Sequence, residues 1–231
     1  MMQEIITIAW LGACFLGLFA LAEWLHRGFR VQAEITRKIV HIGTGLLSLL
    51  FPLYLHDTWQ VGLLCGLFLV LLVLSKRKQF FGSINNISRL SYGSLLYPVA
   101  VFGVYCFYHF QLQQHTYFQS LYYFFTPVLL LAICDPVAAL AGNIYKRYQP
   151  DALPGKTLAG STGFFISAFI LCILLQVCLK NKENTFIITL SNAVFTSIIT
   201  TISEWYSGKG RDNLAVPFSA VICLLFFEQV I

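Results

Sequence analysis

Asp135 stands inside an apolar run, Val128–Leu140, with Pro136 directly after it. A carboxylate near the middle of a membrane span costs about 2.5–3.5 kcal/mol on insertion. A chain that only had to sit in lipid would not keep one there. Proline removes a backbone donor and bends or breaks a helix. Broken helices inside a bilayer are tolerated where they line a cavity. Ala138, Ala139, Ala141 and Gly142 follow as a small-residue face that a backbone or a ligand can approach closely. The purely structural alternative is an Asp paired with a buried lysine.

Four further patches carry groups that could meet a phosphorylated ligand. Glu204, Gly208, Lys209, Gly210, Arg211 and Asp212 fall within nine residues and lead into Asn213. Asn192, Thr196, Thr200 and Glu204 are spaced by four, a polar stripe that slants slowly around a helix. Interhelical hydrogen bonding and a helix cap at Asp212-Asn213 account for the same residues without chemistry. Gly155, Lys156 and Thr157 with Gly160 and Ser161 open an apolar helix. A phosphate-loop motif fails, because Pro150 replaces its first glycine and no strand precedes it. A lysine, hydroxyls and free N–H groups at a helix N-terminus still make an anion site, or simply a capped helix with a membrane-side lysine. Arg37, His41 and Gly45 share one helix face, with Lys38 three before His41. A basic anchor at headgroup level is the alternative there. Ser91, Tyr92, Gly93 and Ser94 read as the start of another helix, with Ser91 as N-cap and Tyr92 in the interfacial aromatic belt.

Taken together, Asp135, Glu204 and Asp212 are candidate Mg²⁺ ligands. Lys38, Lys156, Lys209 and Arg211 are candidate phosphate partners. A metal on carboxylates, cations on phosphates and a group that orients the nucleophile are the parts that phosphoryl transfer needs.

These patches must be held by a very apolar chain: 58% hydrophobic, 16% aromatic and 11% charged over 231 residues. A spanning helix needs about 20 apolar residues. Eight runs approach that, at about 4–24, 39–55, 58–74, 92–110, 119–143, 158–179, 186–203 and 214–230, with the second, third and last short (a count of seven is the alternative). The fold class expected is therefore all-α, a polytopic transmembrane bundle forming one domain over 1–231. His56-Asp57, Pro154-Gly155 and Gly208-Lys209-Gly210 mark turns. Thirteen of the 15 basic residues fall in the loops after the first, third, fifth and seventh runs. Only Lys180 and Lys182 fall on the other side. The positive-inside rule then puts those four loops in the cytoplasm and both termini outside, as for an integral protein of the plasma membrane in a bacterium. No cleavable signal peptide is expected, since Met1–Glu4 lacks a basic region. The net charge of +5 suits anionic headgroups or a polyphosphate. No extended basic surface or RNA-binding motif points to nucleic acid. The seven cysteines are scattered without a C-x-x-C pair, which leaves disulfide and zinc readings little support. Gly62 and Gly66 predict a close helix contact.

The patches in this order resemble the CTP-dependent prenol and polyprenol kinases (phytol, farnesol and dolichol kinases), which are similar in turn to the CDP-diacylglycerol synthases. The resemblance covers about 36–217. It rests on Arg37-Lys38-x-x-His41 with Gly45, Ser91-Tyr92-Gly93-Ser94 with Tyr97-Pro98, and Asp135-Pro136-x-Ala138-Ala139-x-x-Gly142. It continues in Gly155-Lys156-Thr157 with Gly160-Ser161, and in Glu204 with Gly208, Gly210, Asp212-Asn213-Leu214 and Val216-Pro217. It implies CTP as phosphoryl donor, a divalent cation such as Mg²⁺, a lipid-soluble alcohol as acceptor and a prenyl monophosphate as product. By resemblance Asp135 is the catalytic or metal carboxylate, with Lys38 and His41 as phosphate or acceptor contacts. Lys156, Thr157, Gly160, Ser161, Glu204, Lys209, Asp212 and Asn213 would bind nucleotide, Glu204 and Asp212 also the metal. Ala159 departs from the Glu that many relatives carry there, and Cys134 from a common Gly.

Two rival functions fit parts of the same pattern. A phosphatidate cytidylyltransferase needs the same metal–triphosphate site, and a CTP-dependent diacylglycerol kinase is a variant acceptor. A transporter with Asp135 as its ion site would need polar groups facing both sides, and the loops opposite the patches are nearly featureless.

Overall fold

Helices that are apolar on every side cannot turn a polar face to water, so they pack in lipid. That property shapes the whole chain. The computed structural model describes residues 2–78, 81–85, 91–145, 156–179 and 186–230, and among these all regular structure is helical. The helices are α1 (Met2–Gly28), α2 (Ala33–Ser48), α3 (Phe51–Tyr54), α4 (Thr58–Lys78), α5 (Gly82–Asn85) and α6 (Gly93–Gln111). They continue as α7 (Tyr117–Leu129), a π-helical turn (Leu130–Cys134), α8 (Asp135–Ile144), α9 (Leu158–Leu179), α10 (Phe186–Tyr206) and α11 (Asp212–Val230). All eight predicted runs are helical. Among the described residues six helical segments are long and apolar enough to cross a membrane: α1, α4, α6, the continuous α7–α8 segment, α9 and α10. Their outward residues include Leu16, Leu67, Ile166, Ile170, Leu174 and Ile198, all exposed, as a lipid-facing surface requires.

Local chemistry sets the boundaries. The second predicted run is not one helix but two. Pro52 has no N–H to offer the Ser48 carbonyl, so α2 ends at Ser48 and α3 restarts with proline in its first turn. At His56-Asp57 the chain turns as expected, and Gln60 Oε1 accepts from the His56 and Asp57 N–H groups at 2.8 and 3.2 Å. Thr116 and Gln119 form a reciprocal capping box at the start of α7. Ser91 does not cap α6. Tyr92 occupies that position, and Ser91 Oγ, one residue earlier, accepts both from the Gly93 N–H at 3.3 Å and from Arg37 at 2.5 Å. The Gly62/Gly66 pair is half a contact: a Cβ on Gly62 would touch Phe102 at 3.1 Å, while Gly66 faces open space.

Among the described residues, the two largest of four buried clusters do most to hold the bundle. One gathers large aromatics, with Phe51, Tyr105, Tyr108 and Phe124 buried among α3, α6 and α7. Tyr105 donates to the Leu55 carbonyl at 2.6 Å and so fastens the α3–α4 turn to α6. The other is a seam of smaller residues, including Ala138, Ala168, Cys172, Ala193 and Ala220, where α8 to α11 approach closely. Among the described residues the sequence-expected turn at Gly208–Gly210 is present, with Lys209 at φ 58° and Gly210 at φ 81°.

Candidate functional site

The starts of α2, α6, α9 and α11 and the end of α10 meet at one end of the bundle. Tyr92 N–H donates to the Lys209 carbonyl at 2.8 Å, Asn213 Nδ2 donates to the Gly93 carbonyl at 2.8 Å, and Arg37 reaches Ser91. Glycine makes this stacking feasible: a Cβ on Gly210 would lie 2.4 Å from Gly93 N, and one on Gly93 would lie 2.8 Å from Asn213 Nδ2. The patches far apart in sequence thus share one polar end.

Asp135 enters this end through an irregular helix. In the π turn before it, a carbonyl pairs with the N–H five residues on. Residue 136 is proline, so the Leu131 carbonyl has no such donor. His41 supplies one: its Nε2 lies 2.9 Å from Leu131 O and 3.8 Å from Asp135 Oδ2. Tyr97 stands edge-on to the same imidazole, with centroids 5.0 Å apart, and donates to the His41 carbonyl at 3.3 Å. Gly45 lets α2 come this close, since a Cβ there would sit 2.2 Å from Ala132 Cβ. The helix is therefore rewound rather than broken at Pro136. His41, read as a catalytic contact in the sequence, spends its Nε2–H on the backbone that positions Asp135.

Asp135, Glu204 and Asp212 each offer a carboxylate oxygen, and these lie within 4.8 Å of one another. Mg²⁺ takes oxygen ligands at about 2.0–2.1 Å, and oxygens gathered this closely could converge on one such ion. Glu204 is buried, and its Oε2 has no hydrogen-bond partner among the described residues. A buried carboxylate oxygen with nothing to pair with is costly, which is what a cation ligand looks like before it binds. The donor set, all hard oxygen, matches Mg²⁺ and its kind. Lys156 Nζ donates to Glu204 Oε1 and lies 3.5 Å from Asp212 Oδ2. Burial works against the Lys156 charge, but Glu204, Asp212 and Asp135 outweigh it and hold the ammonium above its ordinary pKa.

Other predicted residues sort by what they touch. Thr157 caps α9, its Oγ1 accepting from Gly160 N–H at 3.0 Å, and Ser161 N–H is bound to the Thr157 carbonyl. Those two N–H groups are therefore engaged within α9. Gly160 is a packing residue, 3.0 Å from Ala138 O were it to carry a Cβ. Ser161 Oγ is buried without a partner among the described residues, as a ligand-facing hydroxyl would be. Asn213 is committed to Gly93. Lys209 and Arg211 expose their side chains. Lys38 is half-buried and makes no ion pair among the described residues. Gly155, Arg89, Lys146, Arg147, Lys180 and Lys182, on which part of the α9 motif and of the loop-charge count rest, lie outside the described residues.

Sequence reading passed over the π turn and the Leu131 carbonyl, for which Pro136 was the available signal. It also passed over an apolar cavity beside His41, walled in part by Phe15, Phe19 and Phe68. The one-turn spacing of Phe15 and Phe19 was the trace of that wall.

The chain has relatives along most of its length. A family model described as the cytidylyltransferase family matches residues 1–204. A phytol kinase of Synechocystis sp. is 31% identical over 215 residues, covering 92% of this chain and 88% of that protein. An uncharacterized protein of Rickettsia prowazekii is 32% identical over 105 residues, covering 45% of this chain and 48% of that one. No solved structure matches.

Proposed function

This chain belongs to the cytidylyltransferase family, and we propose that within it the chain is a membrane-embedded kinase that moves the γ-phosphoryl group of CTP to the hydroxyl of an isoprenoid alcohol. The likeness to a phytol kinase over nearly the whole length carries this reading, because the carboxylate cluster alone would serve either kinase or cytidylyltransferase chemistry.

Asp135, Glu204 and Asp212 would hold the divalent cation. When bound, the cation neutralises phosphate charge and draws the triphosphate into register. Lys156 would turn its Nζ–H groups from Glu204 and Asp212 to phosphate oxygens, with Ser161 Oγ–H beside it. The His41 bond to Leu131 fixes the backbone one turn before Asp135, so the carboxylate is aimed before substrate arrives. In the step itself the alcohol oxygen bonds to the γ-phosphorus and the bond from that phosphorus to the β-bridging oxygen breaks. CDP leaves, and the alcohol proton passes to the Asp135 carboxylate. A phosphorylated prenol and CDP are the products. We assign Lys38, Lys209 and Arg211 to the approach of the triphosphate, since their side chains make no ion pair among the described residues. The loop charges support eight crossings with this polar end in the cytoplasm and both termini outside.

The reading is tested on purified protein in detergent with Mg²⁺ and CTP, given phytol, geranylgeraniol, farnesol, diacylglycerol or phosphatidate in turn. Mass spectrometry should find a prenyl monophosphate with CDP. A CDP-lipid formed from phosphatidate would instead establish the cytidylyltransferase reaction.

A further inference from the structure

The carboxylate cluster accounts for the water-soluble substrate but not for the lipid one. Beside it, α1, α2, α4 and α6 enclose a cavity of about 690 Å³, counted to its open mouth. Arg37, His41, Ser94 and Asn213 line it near the starts of α2, α6 and α11. His41 is shared with the carboxylate site, 3.8 Å from Asp135 Oδ2, and Asn213 adjoins Asp212. The opposite end is walled by Phe15, Ser48, Phe51, Leu64, Cys65 and Val101. Two hydroxyls on the wall are spent within α2. Thr44 Oγ1 donates to the Val40 carbonyl at 2.5 Å, and Ser48 Oγ donates to the Thr44 carbonyl at 2.8 Å. The deep half therefore presents methyls, methylenes, rings and the Cys65 thiol, with no uncommitted hydroxyl among the described residues that line it.

Size and shape select among lipids. From Arg37 to Ser48 the wall runs about 16 Å at the helical rise, close to half of a ~30 Å hydrocarbon core. A single unbranched or methyl-branched chain with one hydroxyl matches a channel that is polar at one end and apolar along its length. The two acyl chains and charged head of a phosphatidate do not. The far end is buried: Phe51 is 2% exposed and Phe15 is 4% exposed, with their ring centroids 5.8 Å apart.

We infer that this cavity receives the hydrocarbon chain of the acceptor alcohol, hydroxyl toward His41 and Asp135, and that Phe15, Phe51 and Cys65 at its deep end set the longest chain accepted. The inference rests on the kinase reading and adds to it where the acceptor lies and what measures it.

A farnesol analogue carrying a diazirine at its terminal carbon is the probe. After photolysis with the full-length protein, adducts should map to α1, α3 and α4 around Phe15, Phe51 and Cys65, and excess geranylgeraniol should abolish them. Adducts confined to the outward faces of α9 or α10, while the alcohol is still phosphorylated, would overturn the inference and leave the kinase reading intact. Two variants test the measuring role in opposite directions. Cys65→Phe shortens the cavity and should lower kcat/KM for the C20 alcohol relative to the C15 alcohol by roughly tenfold or more. Phe15→Ala lengthens it and should move the preference the other way. An unchanged C20/C15 ratio in both variants would overturn the measuring role. No phosphorylated product from any alcohol, together with a CDP-lipid from phosphatidate, would remove the kinase reading and this inference with it.

Discussion

Gly45→Ala is a one-methyl change with a calculable consequence. The added Cβ would lie 2.2 Å from Ala132 Cβ and 2.7 Å from Tyr97 Oη. Carbon atoms pack comfortably at about 3.5–4.0 Å, so α2 and the π turn must part by roughly 1.3–1.8 Å. The bond from His41 Nε2 to Leu131 O is 2.9 Å long, and that separation carries it past the length at which a hydrogen bond survives. Overpacking of this kind costs about 1–3 kcal/mol, and the lost bond about 0.5–1.5 kcal/mol. Asp135, four residues beyond Leu131, loses its aim. A misplacement of about 1 Å at a reacting group costs on the order of 100-fold in rate. Gly66→Ala is the matched control, since its Cβ meets open space and the change within α4 should be neutral or stabilising by about 0.5–1 kcal/mol. Thermal unfolding in detergent and kcat with CTP and alcohol are the readouts. Gly45→Ala should lower both, and Gly66→Ala neither. Wild-type kcat and melting temperature in Gly45→Ala would refute the role given to the α2–π-turn contact.

Asp135→Asn should insert and melt like the native chain yet lose on the order of 10²–10³-fold in kcat; full activity would remove Asp135 from the chemistry. Lys156→Ala should raise KM for nucleotide far more than it lowers kcat, and an unchanged KM would take Lys156 out of the phosphate site. Because the folded site holds the Lys156 ammonium above its ordinary pKa, its ion pairs stabilise fully below the unfolded value of about 10.4 and are lost as pH rises through the folded value. Stability linked to this site should therefore be flat from neutral pH to about 10 and fall above it; Lys156→Met should erase that alkaline decline, measured as melting temperature against pH. Thr157→Ala removes the α9 cap and should cost about 1 kcal/mol, with stability reduced and KM for CTP little changed; a large KM effect would show that Thr157 contacts the nucleotide.

Much of the bundle was legible because lipid imposes length and composition on every crossing segment, so apolar runs read directly as helices. Asp135 was legible for the converse reason, since a charge kept in an apolar run is expensive and calls for a partner, and Glu204 and Asp212 were legible from the crowding of charges and glycines into nine residues. Two things were not. The division of α2 from α3 and the rewinding before Asp135 both come from proline, whose effect depends on which carbonyl it leaves without a donor. Periodicity alone does not say whether the helix then breaks, as at Pro52, or shifts to π geometry, as before Pro136. The roles within the motifs were also hidden. His41, Thr157 and Asn213 have residue types suited to binding phosphate, and in three dimensions each makes a hydrogen bond with a neighbouring backbone. The acceptor cavity draws Phe15, Phe51 and Cys65 from three separate helices, and no local spacing joins them.

The fate of the CTP phosphates tests the central claim most directly. Purified protein is given a prenol, Mg²⁺ and CTP labelled either at the γ- or at the α-phosphate. Lipid extracts should carry label from γ-labelled CTP alone, with CDP formed in equal amount. Label entering lipid from α-labelled CTP, with pyrophosphate released, would contradict the account and establish nucleotidyl transfer in its place.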